Sequence, residues 1–90
     1  MTVASQFAAN VVQARERAGI SQEELGVRAS LHRTEISQIE RGLRQPRIDT
    51  LAKLCGSLDV EPSELMEGIV WTPGEIHLGS FRSVASADDC

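Results

Sequence analysis

Two short helical patterns separated by a tight break, Ser21-Gln-Glu-Glu-Leu-Gly-Val-Arg-Ala-Ser-Leu-His-Arg-Thr-Glu-Ile-Ser-Gln-Ile-Glu-Arg-Gly42, constrain the fold of this chain more than any other stretch. Ser21 suits an N-cap and Glu24 stands three residues later, the spacing of a capping box in which each side chain satisfies the other's free N–H. Leu25 and Ala29 share a face at i, i+4, and the apolar signal pauses at Ser30. A second helix opens at Leu31 or His32, with Ile36 and Ile39 pointing one way and Arg33, Thr34, Ser37 and Gln38 another. Gly42 ends it as a C′ residue. A helix that buries isoleucines on one side and offers Arg, Thr, Ser and Gln on the other suits a DNA major groove.

The flanks extend the pattern. A first helix is expected from about Ser5 to Arg17, its stripe formed by Phe7, Val11, Ala14 and Ala18, with Gly19 ending it. The loop Leu43-Arg-Gln-Pro-Arg follows the second motif helix, and Pro46 prevents that helix from continuing. A fourth helix is expected from Ile48 or Asp49 to Leu58, with Leu51, Leu54, Cys55 and Leu58 inward. A short fifth helix starts near Pro62, a residue favoured early in a helix.

With these pieces in register, the chain resembles the phage-repressor (Cro/C1, XRE-type) family of helix-turn-helix transcriptional regulators. The resemblance rests on Gly19-Ile-Ser-Gln-Glu-Glu-Leu, Ile36-Ser-Gln-Ile-Glu-Arg-Gly, Pro46 and Ile48-Asp-Thr-Leu-Ala-Lys-Leu, and runs from about Phe7 to Leu65. It implies an all-α, five-helix lambda-repressor-like DNA-binding domain over residues 5–67, followed by a short tail over residues 68–90. It also implies two departures. Gly26 stands where the family usually has alanine. Either residue is small enough for the motif helices to approach closely, but glycine inside a helix costs roughly 0.5–1 kcal/mol relative to alanine. Ser30 occupies the turn position usually given to glycine, and a non-glycine residue at positive φ costs about 1 kcal/mol or more.

The resemblance carries base contact onto Arg33, Thr34, Ser37 and Gln38, and the chemistry agrees. Arg can bond guanine N7 and O6 together, Gln can bond adenine N7 and N6, and Thr can touch a thymine methyl. It places a phosphate contact on Gln22, at the start of the first motif helix, where free N–H groups and the positive dipole end attract an anion. Arg41, Arg44 and Arg47 follow the reading helix and are candidates for the flanking phosphates. The resemblance sets Arg15 opposite Glu40 as an internal salt bridge that orients the reading helix. Glu35 can accept from cytosine N4, but equally fits a solvated face or an intrahelical partner; it stays outside the core set.

Charge supports the same reading. The net −4 is unevenly spread: residues 28–48 carry five Arg against two Glu, while residues 49–90 carry eight acids against Lys53 and Arg82. Local sign decides, because salt screens charges beyond about 8–10 Å. The basic block coincides with the reading helix and the loop after it.

Other classes are excluded by content. Ninety residues make one small domain with little stability margin. No glycine loop to cradle phosphate, no metal cluster and no nucleophile with an identifiable base is present, so no enzyme and no cofactor is expected. Two Cys and two His are scattered without metal-ligand spacing. Cys55 fits a buried apolar role, Cys90 a free thiol, and both fit a reducing, cytoplasmic (nucleoid-associated) setting. No secretory signal or membrane span is expected. With no Tyr and three other aromatics, stacking on single strands is a weak reading.

After Gly68 the character changes to β-formers around Pro73-Gly74, a pair that suits the centre of a type II turn. Ser83 to Cys90 are expected to be disordered. The tail holds the only Trp and one of two Phe, so Trp71, Ile76, Leu78 and Phe81 are read as dimerisation residues, because regulators of this kind bind symmetric sites as pairs. The expected function is sequence-specific binding of double-stranded DNA by a homodimer at a palindromic operator. Two rivals stay open: an antitoxin or other interaction module whose tail binds a protein partner, and a controller of restriction–modification genes.

Overall fold

The computed structural model of the chain describes residues 2–76 and 78–83. It contains five helices, α1 (Val3–Ala18), α2 (Gln22–Ala29), α3 (Arg33–Glu40), α4 (Ile48–Leu58) and α5 (Pro62–Leu65), and two strands, β1 (Ile69–Thr72) and β2 (Ser80–Ser83). His77 and the Cys90 thiol lie outside the described residues, as do residues 84–90, the bulk of the segment expected to be disordered. Ser83 itself ends β2, paired with Ile69.

α1 starts two residues before the expected Ser5. Thr2 and Ser5 form a reciprocal capping box: the Ser5 N–H donates to Thr2 Oγ1 at 3.0 Å and the Thr2 N–H to Ser5 Oγ at 2.9 Å. The extra turn satisfies donors that a start at Ser5 would leave open. Phe7, Val11 and Ala14 are buried, but Ala18 is exposed because the helix has by then run past the core. In α2 only half of the expected capping box forms. Ser21 Oγ accepts from the Glu24 N–H at 3.0 Å, while the Glu24 carboxylate turns one helical turn onward and lies 3.7 Å from Arg28 Nε.

Ser30 closes α2 in the left-handed region (φ 56°), with the Leu31 N–H donating to Gly26 O at 2.9 Å. The chain therefore folds straight over Gly26. A Cβ there would stand 2.7 Å from the Leu31 carbonyl oxygen, a backbone atom. The expectation that alanine is also small enough at this position is corrected by that geometry: in this α2–α3 turn a Cβ would force the Leu31 backbone to shift. α3 ends in a Schellman motif, with Gly42 at φ 73° and the Leu43 N–H donating to Gln38 O at 2.9 Å.

The core lies where α1, α2, α3 and α4 meet, around the fully buried Val11, Leu25, Ile36, Ile39, Leu54 and Leu65. Cys55 and Leu58 complete the inner face of α4, while Leu51 is half-buried at its edge. Burial pushes the Cys55 thiol above its ordinary pKa, and the carboxylates of Glu61 and Glu64 add to the shift. α5 is too short to satisfy its own ends, and buried Asn10 does it instead: its Nδ2 donates to Leu65 O at 2.8 Å and Glu67 O at 2.9 Å. Its Oδ1 accepts from Gln6 Nε2 at 3.1 Å. Asn10 thus ties the end of the helical domain back to α1.

β1 and β2 pair antiparallel with Trp71 opposite Phe81 and Val70 opposite Arg82, and the pair packs on α1. The expected type II turn at Pro73-Gly74 does not form. Gly74 lacks the positive φ that such a turn needs at its second central position. The connection between the strands is longer, and in it Leu78 lies directly against the Gly74 backbone. The Trp71 indole lies across Gly79, where any Cβ would overlap the ring, and meets Phe81 edge-on at 5.1 Å and 64°. That packing, not a two-residue turn, sets the register. No helix among the described residues is long and apolar enough to cross a membrane.

Candidate nucleic-acid interface

α3 is held from behind by Ile36 and Ile39, both fully buried against α1 and α2. With those side chains inside, the opposite face has to look outward. Arg33 and Thr34 are exposed in its first turn, and Ser37 and Gln38 are half-exposed one turn on. The four residues form one surface on a rigid element, with Arg33 and Thr34 foremost. Arg33 has no ion-pair partner among the described residues, so its guanidinium is available to a ligand.

Behind this face sits a network centred on Glu40, whose side chain is only 3% exposed. Arg15 Nε donates to Glu40 Oε2 at 2.7 Å and Arg15 Nη2 to Glu40 Oε1 at 3.0 Å, a two-pronged pairing, while Arg15 Nη1 donates to Ile20 O at 2.9 Å. The hydrogen bond to Glu40 raises the Arg15 pKa above its ordinary value, against the opposing effect of burial. Gln22 Nε2 donates to Glu40 Oε1 at 2.9 Å. One carboxylate therefore joins α1, the start of α2 and the end of α3. This fixes the angle of the reading helix and holds the Gln22 amide at the α2 N-terminus. Among the described residues the second Nε2 proton and the Oε1 of Gln22 have no partner, and both can make a further bond.

The arginines of the basic block differ in their surroundings. Arg41 folds back so that Nε donates to Ser37 O at 3.4 Å. Arg44 Nη1 lies 3.3 Å from Glu35 Oε2, and Arg47 Nε lies 3.8 Å from Asp49 Oδ1. The three are candidates for the flanking phosphates by sequence alone, which shows neither the acids facing two of them nor the Gln22–Glu40 bond. Glu35 and Arg44 are nine residues apart across a helix end, a spacing that no helical periodicity pairs. Trp71, Ile76, Leu78 and Phe81, set apart as a pairing surface, are 52%, 86%, 74% and 58% exposed. The structure brings Trp71 and Phe81 together on the hairpin and leaves Ile76 and Leu78 on its connecting loop. Among the described residues no cluster of His, Cys, Asp and Glu can hold a metal ion.

The family described as helix-turn-helix, HTH_3, matches residues 11–65, from the middle of α1 to the end of α5. The chain belongs to this family. It is a helix-turn-helix transcription regulator of the Cro/C1 type, a class without enzymatic activity. Among curated relatives, this HTH_3 chain is 40% identical over 62 residues to control protein C.BamHI of Bacillus amyloliquefaciens, an alignment covering 68% of this chain and 76% of that protein. Among solved structures it is similar to the restriction-modification controller protein C.AhdI from Aeromonas hydrophila, with a TM-score of 0.67 and 34% identity. That match covers 69% of this chain and 94% of the other. The hypothetical transcription factor NHTF from Neisseria superposes with a TM-score of 0.69 at 29% identity, over 72% of this chain and 75% of that one. The HTH_3 match ends before the hairpin.

Proposed function

We propose that this regulator binds a palindromic operator in double-stranded DNA as a homodimer, reading each half-site with α3. The observation that carries the reading is the exposed Arg33, Thr34, Ser37 and Gln38 face on a helix anchored by Ile36 and Ile39. Arg33 reads guanine, Gln38 adenine, and Thr34 and Ser37 make the shorter contacts. Gln22, steadied by Glu40, donates to a phosphate at the α2 N-terminus, and Arg41, Arg44 and Arg47 meet the flanking backbone. The cytoplasm, where Cys55 stays reduced, is the setting this activity requires. Selection of bound duplexes from a random pool tests the proposal: an enriched inverted repeat with half-sites about one turn, 34–36 Å, apart is expected. Recovery of unenriched DNA would overturn it.

The similarity to a control protein and a restriction-modification controller supports a narrower reading, in which the regulated genes are a neighbouring restriction–modification pair. A reporter carrying the enriched site upstream of such a pair checks it. The exposed Trp71 and Phe81 favour a second role for the hairpin, as a surface for a second copy rather than for an antitoxin's target. Copurification of a small basic protein with the chain would reverse that preference.

A further inference from the structure

We propose that Glu35 is a specificity-determining residue: it holds Arg44 in the free protein and releases it at a cost that only the matched base sequence offsets. Glu35 is the third residue of α3, in the same turn as Arg33 and Thr34, and its carboxylate lies 3.3 Å from Arg44 in the loop that leads to α4. The Glu35 side chain is 28% exposed and that of Arg44 47%. Both groups are reachable from solvent, and among the described residues each is the other's ion-pair partner. Arg33 has no such partner among the described residues. Arg33 and Arg44 therefore meet DNA on different terms.

Binding to random DNA is built from phosphate contacts. A phosphate that approaches Arg44 has to displace Glu35 and then faces the released carboxylate, so random DNA meets the full opposition of the acid. A matched site differs. The first turn of a reading helix presents its side chains to base edges, and cytosine N4 offers a proton donor that a carboxylate accepts. There Glu35 exchanges an arginine partner for a base partner, and Arg44 is released to the backbone without leaving a negative charge unpaired. The same side chain thus weakens binding to most sequences and spares the correct one. The inference rests on the proposed role of α3 as the base-reading helix. The nearby pair of Arg47 with Asp49 is looser, at 3.8 Å, and more exposed, at 88% and 64%. Its acid lies in the first turn of α4 rather than on the reading helix, which makes it the charge-matched comparison.

The test uses the full chain, the duplex enriched by the wild-type protein and a random-sequence duplex of the same length, with Kd measured over a salt series. Glu35→Gln is expected to bind random DNA about three- to tenfold more tightly, with the salt slope steeper by up to about one unit as Arg44 gains a phosphate. The enriched site gains less or nothing, so the ratio of the two affinities falls. Adding Arg44→Gln removes the gain on random DNA. Asp49→Asn, which deletes an equal charge, leaves the ratio unchanged. Both side chains of the pair reach solvent, and all these variants are expected to melt like the wild type. The inference is overturned if Glu35→Gln leaves the affinity ratio intact, whether both affinities rise together or neither moves, or if Asp49→Asn lowers the ratio equally. A wild-type protein that enriches no site overturns the base-reading proposal and this inference with it. An enriched site with an intact ratio overturns this inference alone.

Discussion

Arg33 and Glu40 stand at opposite ends of the eight-residue α3 and do opposite work. Arg33 is exposed and has no ion-pair partner among the described residues, so its loss should be felt only when DNA is present. Arg33→Ala is expected to weaken binding to the enriched site by about 1–3 kcal/mol and to relax preference at one base pair per half-site. Titration of single-base variants of the site measures it, and equal losses on matched and random duplexes would reassign Arg33 to the backbone. Glu40 is buried and accepts hydrogen bonds from Arg15 and Gln22, so its loss leaves a half-buried guanidinium without its partner. Glu40→Ala should cost about 3 kcal/mol of stability, the low end for a broken buried pair. For a domain of this size that is a fall in Tm of 10 °C or more, taking about 4–8 °C per kcal/mol. Thermal denaturation without DNA is the check, and an unchanged Tm would remove Glu40 from the framework.

At the scale of elements, the α2–α3 turn is where helix propensity and tertiary geometry disagree. Propensity alone favours Gly26→Ala by up to about 1 kcal/mol. The added Cβ, however, would meet the Leu31 carbonyl at 2.7 Å, and neither partner is a flexible side chain that can move aside. The variant is therefore expected to be destabilised, by about 1–3 kcal/mol as for other overpacked sites. Ser30 presents the reverse case. It holds φ at 56° at the α2 C-terminus, a conformation that glycine adopts without strain. Ser30→Gly should raise stability by up to about 1 kcal/mol. Urea melts of the two variants should thus move in opposite directions from the wild type, and a stabilised Gly26→Ala would show that the turn can open.

For the whole molecule, the uneven charge and the exposed hairpin set the behaviour. Arg47 is 88% exposed and only loosely paired, at 3.8 Å from Asp49. Arg47→Ala should lower affinity for matched and random DNA alike and flatten the salt dependence by up to about one unit of slope. An unchanged slope would mean that Arg47 never reaches a phosphate. The hairpin carries Trp71 and Phe81 more than half exposed, with Ile76 and Leu78 beside them, an apolar surface that soluble chains seldom leave open. Removal of residues 69–90 leaves the helical core and the Asn10 bonds to Leu65 and Glu67 in place. The truncated chain should therefore remain folded but sediment as a smaller species and bind the operator weakly. An undiminished dimer would move the contact onto the helices.

The sequence by itself determined the five helices, the glycine-closed end of α3 and the outward set Arg33, Thr34, Ser37 and Gln38. These follow from apolar spacing, caps and the punctuation of Gly19, Gly42 and Pro46, all of which act over a few residues and are legible in one dimension. Tertiary structure alone decided the rest. Asn10 reads as an ordinary polar residue of α1 until α5 brings two carbonyls to it. Gly26 reads as a weak helix position until the Leu31 carbonyl folds over it. The hairpin takes its register from Trp71 lying across Gly79 rather than from Pro73-Gly74. Glu35 and Arg44, or Gln22 and Glu40, become partners only after separate elements pack. Hydrogen bonds and ion pairs act over about 3 Å in space, whereas sequence spacing constrains distance only within an element; between elements, packing sets which polar groups meet.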